Sequence, residues 1–409
     1  MLAARWDYYR SESGGRVMWD AIVVGAGAAG LMCAIEAARR GRRVVVVDHA
    51  QAAGEKIRIS GGGRCNFTNL QTSPDRFLSQ NPRFAHSALS RYTQHDFTDR
   101  VTRAGIAWHE KTLGQLFCDG SAKQIVSMLL GDLHAAGGDL RLGVRPGAVR
   151  RGADGVFRVE TDAGEMTARA LVLATGGKSI PKMGASDFGY RVAEGFGLRI
   201  VPTRPALVPL VFTDAQLEAM RPLAGVSVQA QVGAEGQKIT FHEGLLFTHR
   251  GLSGPSILQI SSYWSPGCSI RVNLSPGRNL AHEAEAGRAA GLGGRDLVNV
   301  LALPQALARS VVARAGLTGR LADQTRAGFE KLARSIHDWQ LVPAGTEGWR
   351  TAEVTAGGVD TKDLDARSLS ARSVPGLYIV GELVDVTGWL GGYNFQWAWS
   401  SGWAAGQAI

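Results

Sequence analysis

A strand-helix-strand pattern near the start of the chain constrains the fold more than any other feature. The stretch Trp19 to Asp48, WDAIVVGAGAAGLMCAIEAARRGRRVVVVD, reads as an apolar strand at 21–24, a glycine turn, a helix at 28–40 and a second apolar strand at 43–47. Short apolar strands joined through a helix are typical of a parallel sheet that is covered by helices on its faces. The sequence therefore predicts an α/β fold with a Rossmann-like domain.

The turn of this unit carries the spacing GxGxxG, with Gly25, Gly27 and Gly30. In a dinucleotide-binding turn the first glycine permits the tight bend, the second lets the backbone approach a pyrophosphate, and the third lets the helix pack on the strand. The alternative is a glycine turn with packing duties only. The surrounding strand and helix favour dinucleotide binding.

Two neighbouring features support the same interpretation. The helix begins at Ala28 and Ala29, so its free N–H groups would face the phosphates of a bound dinucleotide. Asp48 ends the second strand, where a carboxylate can accept hydrogen bonds from the adenosine ribose.

Further glycine-rich elements occur far downstream. A buried strand at 170–174 leads into Thr175, Gly176 and Gly177, and a strand at 377–380 leads into Gly381 and a final helix. A second strand with glycines after the fingerprint is typical of flavoproteins with two dinucleotide-binding domains. The pattern indicates FAD as the dinucleotide.

The ten residues SGGGRCNFTN, Ser60 to Asn69, are too polar for a core strand and too rich in glycine for a helix. We therefore expect a loop that wraps a ligand closely. Gly61, Gly62 and Gly63 would bring backbone N–H groups to phosphate or ring oxygens, and Arg64 would pair with a phosphate.

Four blocks carry a resemblance to a known family: GAGAAGL; GEKIRISGGGRCNFTN; ATGGKSIPKMGASDFGY with GLSGPSILQIS; and the C-terminal stretch from TAGGVD to QWAWSSG. From Trp19 onward the chain resembles the BaiN/RdsA (YhiN-like) family of FAD-dependent oxidoreductases. The resemblance implies bound FAD and reduction of an electron-poor C=C bond, as in ribosomal-RNA dihydrouridine synthases and reductases of conjugated enones.

The resemblance also implies positions around the flavin. It adds Lys56 to the cofactor-binding residues, and it brings either Glu382 or Asp385 to the FAD ribitol or pyrophosphate. The final helix, preceded by Gly392, would point its N-terminus at the flavin, and Tyr393 and Asn394 would contact the flavin or the substrate.

Cys65 and Asn66 then lie nearest the flavin, as candidate catalytic residues. One hypothesis makes Cys65 the proton donor for C=C reduction while flavin N5 supplies the hydride. The other makes Cys65 a packing residue under the ring, with Asn66 fixing the loop by hydrogen bonds. The sequence leaves both open.

The amino-acid composition indicates the broad class of the protein. The 409 residues carry 45 Lys and Arg against 36 Asp and Glu, a formal charge of +9 that favours acidic partners such as RNA. The four cysteines have no CxxC or CxH spacing, so we expect no metal site and a reducing, cytoplasmic location. No apolar run approaches the length of a membrane span.

The fingerprint and the closing strand lie at opposite ends of the chain, which predicts a discontinuous FAD-binding domain at 18–200 plus 350–409. The middle would hold an antiparallel β subdomain at 201–280 plus 339–349 and a helical subdomain at 281–338. Residues 1–17 read as an N-terminal tail. Since there is no second GxGxxG, a nicotinamide donor, NADH or NADPH, would visit the flavin only transiently.

The leading functional prediction is NAD(P)H-driven, FAD-dependent reduction of an electron-poor C=C bond, with uracil in ribosomal RNA as the candidate substrate. One alternative is a small-molecule enone reductase or amine oxidase. A second, from a different class, is an RNA-binding or redox-sensing flavoprotein without a dedicated substrate.

Overall fold

The computed structural model describes residues 18–409, so the expected tail at 1–17 lies outside the described residues. The described chain divides into two units. One consists of residues 18–204 and 355–409, and the other of residues 205–354.

The elements follow in chain order. The first segment contains β1 (Met18–Val24), α1 (Ala28–Arg39), β2 (Val44–Asp48), α2 (Glu55–Gly63), β3 (Asn66–Asn69), β4 (Phe77–Leu78), α3 (Phe84–Arg91), α4 (Gln94–Arg103), β5 (Trp108–Glu110), β6 (Gln115–Cys118), α5 (Lys123–Ala135), β7 (Asp139–Leu142), β8 (Pro146–Arg151), β9 (Phe157–Thr161), β10 (Gly164–Leu173), α6 (Phe188–Gly195) and β11 (Ile200–Ala206). The next contains β12 (Leu210–Val211), α7 (Asp214–Met220), β13 (Ser227–Ala234), β14 (Thr240–Thr248), β15 (Gly251–Ser253), α8 (Pro255–Ser261), β16 (Ile270–Asn273), α9 (Leu280–Gly287), α10 (Leu297–Val300), α11 (Gln305–Arg314), α12 (Arg326–His337), β17 (Trp339–Leu341) and β18 (Gly345–Thr346). The last contains β19 (Val354–Val359), β20 (Leu377–Ile379), β21 (Thr387–Gly388) and α13 (Tyr393–Gly406).

The first unit is built on a mixed sheet with the order β7-β2-β1-β10-β9-β8, in which β20 also pairs with β10. The pairs β1–β2, β1–β10, β2–β7 and β10–β20 are parallel, whereas β9 pairs antiparallel with both β10 and β8. The four valines of β2, residues 44–47, are fully buried, as expected for a strand covered on both faces. The predicted α/β fold with a Rossmann-like domain is confirmed.

The parallel strands bring the predicted site segments to one edge of this sheet. β1, β2, β10 and β20 end at Val24, Asp48, Leu173 and Ile379, and paired residues near those ends lie in register. Ligands of open α/β sheets bind at the carboxyl ends of the strands. This edge is therefore where the cofactor site is expected.

The first unit also contains a three-stranded antiparallel sheet with the order β3-β6-β5 and a short pair formed by β21 and β4. The three-stranded sheet contains part of the loop predicted at 60–69, because β3 begins at Asn66. That part of the prediction is wrong: Phe67, Thr68 and Asn69 are buried.

The second unit is built on an antiparallel sheet with the order β17-β16-β13-β14-β15-β12-β18. β13 is the best-paired strand, with β14 on one side and β16 on the other. Helices α9, α11 and α12 follow the strands and bury apolar side chains that include Leu307, Val311 and Leu332. Across residues 18–409, no helix combines the length and the apolar character needed to cross a membrane.

Candidate flavin and substrate site

The three glycines of the fingerprint turn, residues 25–30, differ in the space that surrounds them. Gly25 has a φ of +115°, and a Cβ there would lie 2.3 Å from the carbonyl oxygen of Ala174. A Cβ on Gly30 would lie 1.9 Å from the carbonyl oxygen of Gly25, whereas no atom lies within 4 Å of a Cβ on Gly27. Packing therefore requires Gly25 and Gly30, while Gly27 faces open space.

The start of α1 is prepared for an anion. Gly27 is the N-cap, and no side chain caps the helix that begins with Ala28 and Ala29. The first turn of a helix has backbone N–H groups without partners in the helix, and the helix dipole makes this end positive. The open space beside Gly27 is thus a suitable position for a phosphate.

Asp48 lies beside this turn at the end of β2. Its Oδ2 accepts a hydrogen bond from the Ala26 N–H at 2.7 Å, and its Oδ1 accepts one from the Ala50 N–H at 2.9 Å. These bonds fix the carboxylate against the fingerprint turn. Because a carboxylate has about four lone-pair positions, Asp48 retains acceptor capacity for ribose hydroxyls.

The segment after β10 contributes a buried hydroxyl. Thr175 Oγ1 is buried and has no hydrogen-bond partner among the described residues. Next to it, Gly176 has a φ of +73°, and a Cβ there would have no atom within 4 Å. A Cβ on Gly177 would instead lie 2.3 Å from Thr355 Oγ1. An unpaired buried hydroxyl costs roughly 1–3 kcal/mol, which a polar ligand atom would offset.

Lys56 and Glu382, predicted on segments far apart in sequence, form an ion pair. Lys56 Nζ lies 2.7 Å from Glu382 Oε2 and donates to Ser179 Oγ at 2.6 Å. Glu382 Oε1 accepts from the Thr355 N–H at 2.9 Å and from Ser179 Oγ at 3.1 Å. Burial is the main cause that raises the pKa of the Tyr190 hydroxyl, and the charge of Glu382 raises that pKa further. The side chains of this network hold each other in one arrangement.

Asp385, the alternative acid to Glu382, has a different environment. Its side chain is buried, and its Oδ2 accepts a hydrogen bond from the Gln80 N–H at 2.9 Å. Burial raises the pKa of Asp385, and the hydrogen bond from Gln80 opposes that effect. Gly381 is packed against α1, since a Cβ there would lie 2.8 Å from Ala29 Cβ. Asp385 therefore holds the loop at Gln80 by a hydrogen bond, whereas Glu382 belongs to the network with Lys56 and Ser179.

The glycines of the predicted ligand-wrapping loop differ in their surroundings. The backbone leaves the helical conformation at Ser60, and Gly61 and Gly62 have φ values of +57° and +66°. A Cβ on Gly61 would lie 2.7 Å from the Phe117 ring, whereas Gly62 has no atom within 4 Å and Gly63 has its nearest at 4.0 Å. Gly62 and Gly63 thus present bare backbone, and Arg64 beside them is exposed.

Cys65 is fully buried, with 0% of its surface exposed and a φ of +53°. Burial raises the pKa of its thiol to about 12, and a hydrogen bond from Ser60 only partly opposes this. A thiol with such a pKa releases its proton poorly near neutral pH. The geometry favours the packing role of Cys65 over the proton-donor role.

Helix α13 covers β3 and explains why this polar segment is a strand. Trp399 Nε1 donates to the Phe67 carbonyl at 2.8 Å, and Thr68 Oγ1 lies 2.6 Å from Gln396 Oε1. Asn69 Nδ2 donates to the Gly391 carbonyl at 2.9 Å. The polar groups of β3 are satisfied by residues more than 300 positions away, which no local pattern reveals.

The head of α13 and Asn66 lie side by side. A Cβ on Gly392, which has a φ of +99°, would lie 2.9 Å from Asn66 Oδ1, and a Cβ on Gly391 would lie 2.9 Å from Gln115 Cγ. The Asn66 side-chain amide donates a hydrogen bond from Nδ2 to Gln115 Oε1 at 3.2 Å. Asn66 therefore positions Gln115.

Tyr393 and Asn394, which follow Gly392, stabilise the start of α13. Tyr393 is buried, with its ring against Phe77 at 6.1 Å. Asn394 accepts from the Gly388 N–H and donates to the Gly388 carbonyl, both at 2.8 Å. No side chain caps α13 at Gly392, and this end of the helix is the positive end of its dipole.

These features fit FAD. The bare backbone at Gly27 and Gly62, the uncapped starts of α1 and α13, and the unpartnered Thr175 hydroxyl are the donors and clearances that a dinucleotide needs. Reduced flavin carries negative charge at N1, which a positive helix end stabilises. The fold and site define the chain as an FAD-dependent oxidoreductase.

The comparison with protein families agrees with this class. The model described as "HI0933-like protein Rossmann domain" matches residues 19–408, and the chain belongs to this family. The resemblance to the BaiN/RdsA family is confirmed.

Three relatives match over nearly their full lengths. The chain is 50% identical to the ribosomal RNA dihydrouridine synthase of Escherichia coli, with 96% of this chain and 98% of that protein covered. It is 44% identical to the protein of the same name from Haemophilus influenzae, with 95% and 98% covered. It is 29% identical to the 3-dehydro-bile acid delta(4,6)-reductase of Clostridium scindens, with 94% and 98% covered.

Sequence reasoning missed Gln115, Ser179 and Thr355. Ser179 follows the predicted Gly177 by two residues, so its place in the motif ATGGKS was a usable signal. Thr355 begins a stretch quoted for the family resemblance. Gln115 had no signal, because only the pairing of β3 with β6 brings it to Asn66.

Proposed function

We propose that this protein reduces uridine to dihydrouridine in ribosomal RNA, using NADH or NADPH as the electron donor. The observation that carries the proposal is the 50% identity to the Escherichia coli ribosomal RNA dihydrouridine synthase across 98% of that protein. The net charge of +9 is compatible with an RNA substrate. A ribosomal RNA substrate would place the protein in the cytoplasm.

The reaction saturates the C5=C6 bond of uracil. The ring gains a hydride at C6 and a proton at C5. The hydride, two electrons with one proton, derives from the nicotinamide, and the proton at C5 comes from water. Bound FAD supplies the two-electron relay between the two. The target base must leave the RNA fold to reach the reaction site, and single-stranded or unfolded RNA lowers that cost.

The residues of the chain provide binding and orientation. Gly27 and the start of α1 receive the pyrophosphate, and Asp48 receives the ribose. Lys56, Ser179 and Glu382 hold α2 and the segments after β10 and β20 together. Cys65, directly before β3, is fully buried and contributes to the packing there.

Gln115 is the residue that we propose holds the substrate base. Its amide is positioned by Asn66 and lies against Gly391, at the head of α13. After bonding to Asn66, the amide of Gln115 keeps further donor and acceptor capacity. The uracil edge offers carbonyl acceptors and an N–H donor, which an amide matches.

The test uses purified, FAD-loaded protein with ribosomal RNA transcribed without modifications. We expect NADH or NADPH to drive the appearance of dihydrouridine, measured by nucleoside mass spectrometry after RNA digestion. Absence of dihydrouridine, with reduction of the flavin by nicotinamide intact, would reject the proposal.

A second candidate function is reduction of a small conjugated ketone. The observation that favours it is the 29% identity to the bile acid reductase across 98% of that protein. In this case steroid-like enones would reoxidise the reduced protein, and RNA would not reoxidise it. Stopped-flow reoxidation with an enone and with RNA distinguishes the two candidates.

A further inference from the structure

A basic cavity lies in the second unit, which contains none of the residues assigned to FAD. Its volume is about 500 Å³, and it lies where the end of α11 and the last turns of α12 approach β17. We call it the Arg314 cavity, and its principal lining residues are Arg314, Lys331, Arg334, Asp338, Trp339 and Gln340. Three of these side chains are cationic and one is acidic.

The acidic residue is already engaged. Asp338 Oδ1 accepts from Arg271 Nε at 2.9 Å, and Asp338 Oδ2 accepts from the same guanidinium at 3.3 Å. Lys331 and Arg334 are exposed, and neither forms an ion pair with a carboxylate of residues 18–409. The positive charge of the cavity is therefore not neutralised by the described chain.

Arg314 differs from an ordinary surface arginine. Its guanidinium lies 3.7 Å from the centre of the Trp339 ring, donates to the Ser335 carbonyl at 2.8 Å and reaches Ser310 Oγ at 3.4 Å. Burial lowers its pKa to about 10, and no carboxylate opposes that effect. The protein thus holds a partly desolvated guanidinium in fixed orientation without an anion.

A phosphate group would satisfy this arrangement. A desolvated charge without a counter-ion is unfavourable, and an arriving anion offsets the cost. Arginine presents a planar fork that matches phosphate oxygens, and lysine adds a point charge. We propose that the Arg314 cavity binds backbone phosphates of the RNA substrate, an inference that rests on the proposed function.

The test compares two double variants of the FAD-loaded protein, each lacking two positive charges. Lys331→Gln with Arg334→Gln changes the cavity. Arg309→Gln with Arg326→Gln is the matched control, since both residues are exposed, lie on α11 and α12, and do not line the cavity. Affinity for an unmodified ribosomal RNA transcript is measured against salt concentration for both variants and the wild type.

We expect the cavity variant to bind RNA about tenfold more weakly, and its log affinity to depend on log salt with a slope smaller by about 1.4, as for two lost single-strand phosphate contacts. The control should stay within about twofold of the wild type. Flavin content and flavin reduction by nicotinamide should be equal in all three proteins.

Failure of the inference about the cavity and failure of the proposed function would give different results. A cavity variant with wild-type affinity and slope, while the wild type binds RNA and forms dihydrouridine, would overturn the inference and leave the proposed function standing. A wild type that neither binds RNA nor forms dihydrouridine would overturn both. Loss of binding to polyglutamate but not to RNA would assign the cavity to an acidic protein partner and also overturn the inference.

Discussion

At the scale of single residues, the structure distinguishes glycines that are needed for packing from glycines that leave room for a ligand. Gly25 and Gly30 fill the turn between β1 and α1, while Gly27 and Gly62 face open space. The sequence predicted this division, with Gly27 as the glycine that lets the backbone approach a pyrophosphate. Only the surroundings of each Cβ position show which glycine is free to change without damage to the fold.

We therefore expect Gly27→Val to lose FAD while the protein keeps its fold. The added side chain would enter the space assigned to the pyrophosphate, and it meets no protein atom within 4 Å at Cβ. Gly30→Ala, whose Cβ would meet the Gly25 carbonyl at 1.9 Å, should instead destabilise the protein by about 1–3 kcal/mol. Flavin absorbance and urea unfolding followed by circular dichroism measure both effects. Full FAD content in Gly27→Val would contradict the fingerprint assignment.

Gln115→Leu tests the residue proposed to hold the base. Loss of the amide removes about 1–1.5 kcal/mol of hydrogen bonding, so kcat/KM for uridine reduction should fall about tenfold. Flavin content and flavin reduction by nicotinamide should not change. Gln71→Leu, at an exposed position just beyond β3, is the control. Equal activity of the two variants would remove Gln115 from the substrate site.

Cys65→Ala decides between the two roles left open by the sequence. With its thiol buried and its pKa raised to about 12, we expect turnover within about threefold of the wild type and a stability loss of about 1 kcal/mol. A fall in turnover of tenfold or more at unchanged flavin reduction would restore the proton-donor role.

The same thiol gives a pH dependence with a defined sign. A raised pKa in the folded state means that burial stabilises the fold at pH values below the unfolded-state pKa of about 9. That contribution is lost as pH rises from about 9 towards 12. Wild-type stability in urea should fall more steeply over this window than that of Cys65→Ala, and parallel curves would contradict the burial.

At the scale of elements, the first βαβ unit was predictable because its apolar runs, glycine spacing and terminal acid all agree. β3 was not predictable. Its sequence NFTN has the composition of a turn, and it is a strand because Trp399, Gln396 and Gly391 satisfy its polar groups from the other end of the chain. Tertiary contacts therefore override local preference at the place where the substrate site is proposed.

The packing of α13 on α1 gives a prediction at this scale. A Cβ on Gly402 would lie 2.3 Å from the Ala29 carbonyl oxygen, so Gly402→Ala should push the two helices apart and cost about 1–3 kcal/mol. Gly195→Ala, in α6, meets no atom within 4 Å and should be neutral or slightly stabilising. Chemical unfolding compares them, and equal stability would contradict close packing of α1 and α13.

At the scale of the whole molecule, the sequence indicated the α/β class, the cofactor and the family, because motifs from Trp19 to the C-terminus occur in the family order. It did not reveal the Arg314 cavity. The charge of +9 is spread along the chain, and folding alone brings Arg314, Lys331 and Arg334 to one concave surface while Asp338 is paired elsewhere.

The dihydrouridine content of ribosomal RNA in cells that lack this gene gives the sharpest test of the proposed function. Nucleoside mass spectrometry should show dihydrouridine lost from ribosomal RNA on deletion, restored by the wild-type gene and not restored by Gly27→Val. Unchanged dihydrouridine in the deletion strain would contradict the account, and the search for a substrate would turn to small conjugated ketones.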